Sequence, residues 1–140
     1  GEEPNAENAV SKVNDAVGIR VITSFVDDIY KVADLIEKQQ DIHILKIKDY
    51  VQQPKKSGYQ SLHLIVEVPV TYLDKTTAVR VEIQIRSVAM DYWAELDSQM
   101  CYKKDAGKLE AVEKATREYA DVIAGVDQKM QELRKKIQKM

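Results

Sequence analysis

"VRVEIQIRS", residues 79–87, decides how this chain folds. Read as a strand it sets Val79, Val81, Ile83 and Ile85 on one face and Arg80, Glu82, Gln84 and Arg86 on the other, because successive side chains alternate. The first face is made for a core. The second lines up two cations, a carboxylate and an amide, which is more particular than a solvated surface needs and raises the question of an anionic ligand.

The surrounding sequence sets the limits. With 140 residues, 44% hydrophobic and 31% charged, the chain is long enough for one domain with a real core and is neither fibrous nor disordered in composition. A net charge of −2 gives no general field for nucleic acid or an anionic membrane, so no nucleic-acid or membrane partner is expected and a small phosphorylated ligand is easier to accommodate. The single cysteine, Cys101, has no internal disulfide partner, and no apolar run approaches the roughly 20 residues of a membrane span. These features suggest a reducing compartment. Gly1, without an initiator Met, suggests that the chain begins inside a longer natural sequence.

Residues 1–14 are polar and lack periodicity, as in a loop or short helix. "GIRVITS" from Gly18 reads as a strand, and "DDIYKVADLIEKQ" repeats Ile29, Val32, Ala33, Leu35 and Ile36 at helical spacing, with a cap expected at Asp27 or Asp28. Strand followed by helix is an α/β beginning. "IHILKIKDY" and "YQSLHLIVEVPV" read as further strands, with loops at "QQPKKSG" and "YLDKTT", and the signals turn helical from about Ser87 to the end. In the last helix Leu109, Val112, Thr116, Tyr119, Ile123, Val126, Met130, Leu133, Ile137 and Met140 follow at steps of three and four. Over residues 106–140 that helix would reach on the order of 50 Å, longer than a compact domain of this size, so part of the stripe needs a partner: a helix from a preceding N-terminal region or a second copy, with an antiparallel layer of such preceding or neighbouring helices expected.

Two segments carry candidate chemistry. In "QQPKKSGYQSLHL" Lys55 and Lys56 stand beside Gly58, where backbone can approach a ligand, and Tyr59 follows. Lysine serves phosphate and an exposed tyrosine offers a stacking surface for a base; a plain solvated loop fits the same residues. Ser61 and His63 leave the next strand on one face, where a histidine is ordinarily a satisfied polar group. Asp15 and Glu82 are carboxylates that neighbouring strands would bring to one Mg²⁺ site, since Mg²⁺ needs few protein ligands when phosphates supply the rest. Asp15 as a turn residue, and Glu82 paired with Arg80 or Arg86, fit equally.

The motifs "NDAVGIRV", "KDYVQQPKKSGYQSLHLIVEV", "VEIQIRSVAMDYWAEL" and "YKK", in this order, resemble the synthetase domain of the RelA/SpoT family, and especially its single-domain small alarmone synthetases, over roughly Asp15 to Lys104. The resemblance implies an α/β (α+β), nucleotidyltransferase-like fold, a mixed sheet of about four to five strands flanked by helices. Residues 1–104 would be the core and 105–140 a long amphipathic helix on the core or a partner chain. It implies transfer of pyrophosphate from ATP to the 3′-hydroxyl of GDP or GTP, with Mg²⁺ as cofactor, in the bacterial cytoplasm, by a homo-oligomer such as a tetramer.

Carried over residue by residue, the resemblance makes Asp15 and Glu82 the Mg²⁺ pair, with Glu82 also assisting deprotonation of the acceptor hydroxyl. Arg20 would lie against adenine and Tyr59 would stack on guanine. Lys55 would reach the guanine edge or a phosphate, with Lys56 and Lys48 as further phosphate ligands. Gln84 and His63 would position oxygens, and Arg86 would support the site from behind. Asp91 stands where relatives often carry Asn or His, which would alter its guanine contact, and Ser98 where small synthetases commonly have histidine. The family's N-terminal helices, with a basic, serine-containing stretch that helps hold ATP, have no counterpart in the 14 residues before Asp15. Two other readings stay open: a truncated or degenerate guanine-nucleotide-binding or assembly module, and a relative that pyrophosphorylates an adenine nucleotide or a tRNA 3′ end.

Overall fold

The computed structural model describes residues 17–101 and 106–140, and the side chains of 17–100 and 110–140. Its elements run β1 (Gly18–Thr23), α1 (Val26–Glu37), β2 (His43–Asp49), β3 (Leu62–Tyr72), β4 (Lys75–Ser87), α2 (Val88–Cys101) and α3 (Ala106–Lys139). The four strands form one mixed sheet in the order β1-β4-β3-β2. β1 runs parallel to β4, while β3 is antiparallel to both β4 and β2. The expected α/β mixed sheet with a long last helix is therefore the fold.

β4 is a central strand, and its alternation has the predicted sense. Val79, Val81, Ile83 and Ile85 are buried with Leu62, Leu64 and Val66 of β3, and Ile29 of α1 closes over them. Each fully buried aliphatic side chain of this kind contributes on the order of 1.5–3 kcal/mol. The "YLDKTT" segment, expected as a loop, is mostly strand. Tyr72 pairs with Lys75, and only Leu73 and Asp74 turn the chain, with φ of 49° and 62°. Two successive positive φ values describe the type I′ turn whose twist matches a hairpin. Asp tolerates that conformation; Leu at the first position is an unusual occupant.

Helix α1 starts differently from its prediction. Phe25 occupies the N-cap position and makes no side-chain cap, and Asp27 and Asp28 fall in the first turn, where the helix dipole favours acids. The missing cap comes from far along the chain: Gln131 Oε1 of α3 accepts the Asp27 N–H at 3.1 Å. Arg134 of α3 forms an ion pair with Asp28 at 3.0 Å and lies 4.0 Å from the Phe25 ring centroid. Toward its N-terminal half α3 leans on α2, with Trp93 Nε1 donating to the Thr116 carbonyl at 2.8 Å, and at its middle it meets the end of β4, where Ser87 Oγ donates to Asp127 Oδ2 at 2.5 Å.

The stripe in α3 consequently faces the wrong way for a core. Thr116, Ala120, Asp127 and Gln131 are buried, whereas Tyr119, Val122, Val126, Met130, Leu133 and Ile137 are exposed. Ile123, expected in the stripe, is half-buried, and Val122 takes its place at 64% exposure. Among the described residues no helix is long and apolar enough to cross a membrane.

Candidate active site

The polar side of β4 becomes a site because the register aligns its neighbours with it. Arg20 of β1 pairs with Gln84, Gln84 with His63 of β3, and His63 with Lys48 of β2, so four predicted residues form one row across the sheet on the face opposite the core. Glu82 stands in the next row, between Gly18 and Ile65. Glu82 Oε1 lies 3.1 Å from His63 Nδ1, and the carboxylate side chain remains 38% exposed.

Arg86 is the hub behind this row. Only 8% exposed, it places Nε 3.5 Å from Ser61 Oγ, Nη1 3.3 Å from Asp91 Oδ1, and Nη2 2.5 Å from Tyr59 Oη and 2.7 Å from Gln84 Oε1. All three guanidinium nitrogens are thus engaged within the protein. Arg86 fixes other site residues and is not poised to leave them for a ligand.

The bonds have one consistent direction. Arg86 donates to Tyr59 Oη, which lies 3.0 Å from His63 Nε2; with the Tyr59 O–H given to Nε2, the imidazole carries its proton on Nδ1, 3.1 Å from Glu82 Oε1. Burial lowers the His63 pKa, with Glu82 opposing and Arg86, Lys55 and Lys48 assisting, which favours the neutral imidazole. The line of donors ends at Glu82, whose Oε1 is oriented by the imidazole. A carboxylate so held is suited to accepting a proton or ligating a hard cation.

Around Tyr59 the structure gathers aromatic and cationic groups. Its ring is edge-on to His63 and Tyr50, with centroids 5.7 and 6.3 Å away, and Lys55 Nζ lies 5.3 Å from its centroid. Tyr50, at the end of β2, was read only as part of a strand; nothing in its local sequence signals a contact made across the sheet. Arg20 reaches the same region through Asp91, 2.9 Å away, so one carboxylate oxygen holds both Arg20 and Arg86. A cavity of about 650 Å³, a volume typical of small-molecule sites, is lined by Gly18, Arg20, Tyr59, Gln84, Arg86 and Ser98 among others.

Three expectations fare differently. Lys56 lines a second cavity, of about 640 Å³, with Lys114 and Arg117, and does not join the row. Gly58 was read as a place where backbone approaches a ligand, but with φ of 99° and Ala120 Cβ only 2.6 Å from where its own Cβ would be, it is needed for packing against α3. Asp15 lies outside the described residues, as do residues 1–14 and the "YKK" motif.

The sequence and the fold have known counterparts. The sequence profile described as "Region found in RelA / SpoT proteins" matches residues 2–107. The chain belongs to the RelA/SpoT family. Among its relatives are the GTP pyrophosphokinase YwaC of Bacillus subtilis, 37% identical over 98% of this chain and 65% of that protein, and the GTP pyrophosphokinase YjbM of the same organism, 32% identical over 92% and 61%. The chain thus spans somewhat under two thirds of these relatives' length. A GTP pyrophosphokinase family protein from Streptococcus pneumoniae superposes with a TM-score of 0.81 at 33% identity, covering 99% of this chain and 75% of that one. Small alarmone synthetase 1 from B. subtilis, solved with its product pppGpp, superposes at 0.80 with 27% identity, covering 98% and 77%. The RelA/SpoT match includes every strand of the sheet and stops at the first turn of α3.

Proposed function

We propose that this RelA/SpoT chain is an alarmone synthetase that transfers the β,γ-pyrophosphate of ATP to the 3′-hydroxyl of GDP or GTP. The observation that carries the reading is the row Arg20–Gln84–His63–Lys48 across the sheet, with Glu82 beside it and Tyr59 at the cavity that Arg20 also lines. The GTP pyrophosphokinases among its relatives support the same chemistry.

Arg20 takes the adenine side, where a guanidinium plane can stack on a base. Tyr59 takes guanine, its ring already oriented by Arg86, and Lys55, with Lys48 as a further cation, meets phosphate or the base edge. Gln84 and His63 orient oxygens at the centre of the row. Asp91 serves by sharing its carboxylate between Arg20 and Arg86. Glu82 receives the proton of the acceptor hydroxyl once the two nucleotides are held in line, placement being the largest demand of phosphoryl chemistry.

Among the described residues no group of three or more His, Cys, Asp or Glu side chains could hold a metal by itself. A cation sharing Glu82 with substrate phosphates fits that donor set, and Mg²⁺, with Asp15 as the second carboxylate, is the cofactor we assign. When bound it neutralises charge on the phosphates. The compartment we assign with these substrates is the bacterial cytoplasm.

The partner of α3 is a second copy of the chain. Tyr119 and Met130, Val122 and Leu133, and Val126 and Ile137 are each eleven residues apart, three helical turns to within about 20°, so they stay on one side of the helix. Glu118 and Lys136 flank the same edge of that stripe near opposite ends. Antiparallel pairing of two α3 helices sets each Glu118 against the other's Lys136. Assembly of such pairs into a tetramer is compatible with this surface.

Incubation with labelled ATP, Mg²⁺ and GDP or GTP, followed by separation of the nucleotides, tests the activity. AMP with a 3′-pyrophosphorylated guanine nucleotide is the expected product. Tight GDP binding without product would leave a binding module, and product only with another acceptor would replace the substrate.

A further inference from the structure

The loop that carries Lys55 and Tyr59 is seated on a helix that lies almost wholly beyond the RelA/SpoT match. Within the loop, Gly58 N donates to the Lys55 carbonyl at 2.8 Å and Lys55 N to the Tyr59 carbonyl at 3.1 Å, so residues 55–59 move as one turn. Two contacts fasten that turn to α3. Gly58 lies so close to Ala120 that no side chain fits between them. Arg117, one helical turn before, donates from Nη1 to the Lys56 carbonyl. α3 is itself fixed to α2 through Trp93 and Thr116, so the turn rests on a rigid support.

We propose that Arg117 is a positioning residue for the guanine side of the site: by holding the Lys56 carbonyl it sets the height of Tyr59 and Lys55 over the cavity. The inference rests on the reading of Tyr59 as the guanine platform. Arg117 lines the second cavity and makes no contact with the central row, so it acts only through the turn. Loss of its bond leaves the turn held to α3 by the Gly58 contact alone, so that the backbone at Lys55 and Lys56 can tilt while the Tyr59 hydroxyl stays tied to Arg86 and His63.

The test compares Arg117→Ala, Arg117→Lys and, as a control on the exposed far part of α3, Lys129→Ala. A bond of this kind corresponds to roughly a 2–10-fold change. For Arg117→Ala we expect the KM for GDP to rise by about that factor, with the KM for ATP and kcat at saturation unchanged within twofold; Arg117→Lys should recover part of the loss, and Lys129→Ala should match the parent. Trp93, the only tryptophan, lies against Gly58 and gives a second readout independent of activity. Its emission should shift in Arg117→Ala without any nucleotide. Equal changes in both KM values, a fall in kcat alone, or an unchanged GDP affinity with unchanged emission would overturn the proposal. A parent protein that binds no GDP overturns the guanine reading instead, and the Trp93 emission then still reports whether Arg117 seats the turn.

Discussion

β4 and α3 both separate polar from apolar residues along their length, yet they turn opposite sides inward. In β4 the apolar set faces the core and the polar set forms the candidate site; in α3 Asp127 and Gln131 are buried while Val122, Val126 and Leu133 look outward. The difference lies in what pins each element. β4 is bonded on both edges, and a slip by one residue would exchange its faces entirely, so the strong apolar alternation admits one answer. α3 has no such lattice. It docks through side chains, and the body it meets presents an indole N–H at Trp93, a hydroxyl at Ser87 and the uncapped, acidic start of α1. Polar groups meet those needs, and the apolar stripe is left for another helix.

Glu82→Gln breaks the polar side of β4 most sharply. We expect a loss of about 10²–10⁴-fold in kcat, the usual contribution of a positioned acid or base, with an unchanged circular dichroism spectrum. Retained turnover in the pure protein would remove Glu82 from the chemistry. On the other side of the same strand, Ile85→Ala opens a cavity where exposure is 0% and should cost about 2–5 kcal/mol in urea unfolding, while leaving nucleotide affinity in the folded fraction intact.

The inward face of α3 should respond less. Arg134→Met keeps the stem but gives up the charge opposite Asp28, for an expected cost of about 1–3 kcal/mol. The outward face should matter to assembly and hardly at all to the fold: Val126→Glu, at 52% exposure, is expected within about 0.5 kcal/mol of the parent in unfolding of the monomer. The same variant should lower the mass measured by light scattering from that of an oligomer to that of one chain. A parent that is already monomeric would refute the pairing.

The smallest effect concerns pH. Because burial lowers the His63 pKa in the folded chain, the unfolded chain binds more protons over the interval below its ordinary value of 6.5. Stability is therefore full above about 6.5 and declines as the pH falls toward the folded-state pKa. His63→Gln should flatten that acid limb. Tyr30 works at the other extreme: burial and its bond to Asp49 push its pKa up to about 12, so stability declines as pH rises from about 10 toward that value.

Much of the site was legible because it lies on strands. Period-two alternation placed Glu82, Gln84 and Arg86 together, and Ser61 with His63, before any pairing was known. The pairing itself was not legible, so Glu82 had several equally good partners on paper and took His63, while Arg86 went to Asp91 and Tyr59. Tyr50 and Arg117 were missed because their relevance is a matter of distance across the fold: Tyr50 touches His63 thirteen positions later, and Arg117 meets a carbonyl sixty-one positions earlier. Gly58 was recognised as special for the wrong reason, since a glycine in sequence marks a close approach without saying to what.

What the sequence determined by itself was the set of elements, the inward side of each central strand and the residue types available for phosphate chemistry, all of them consequences of local periodicity and side-chain character. Only the tertiary structure decided which side of α3 faces the body, which residue caps α1, and how Arg86 unites Tyr59, Gln84 and Asp91. Those choices depend on unsatisfied donors and acceptors that exist only once distant segments have met, and no local pattern encodes where such groups will be left.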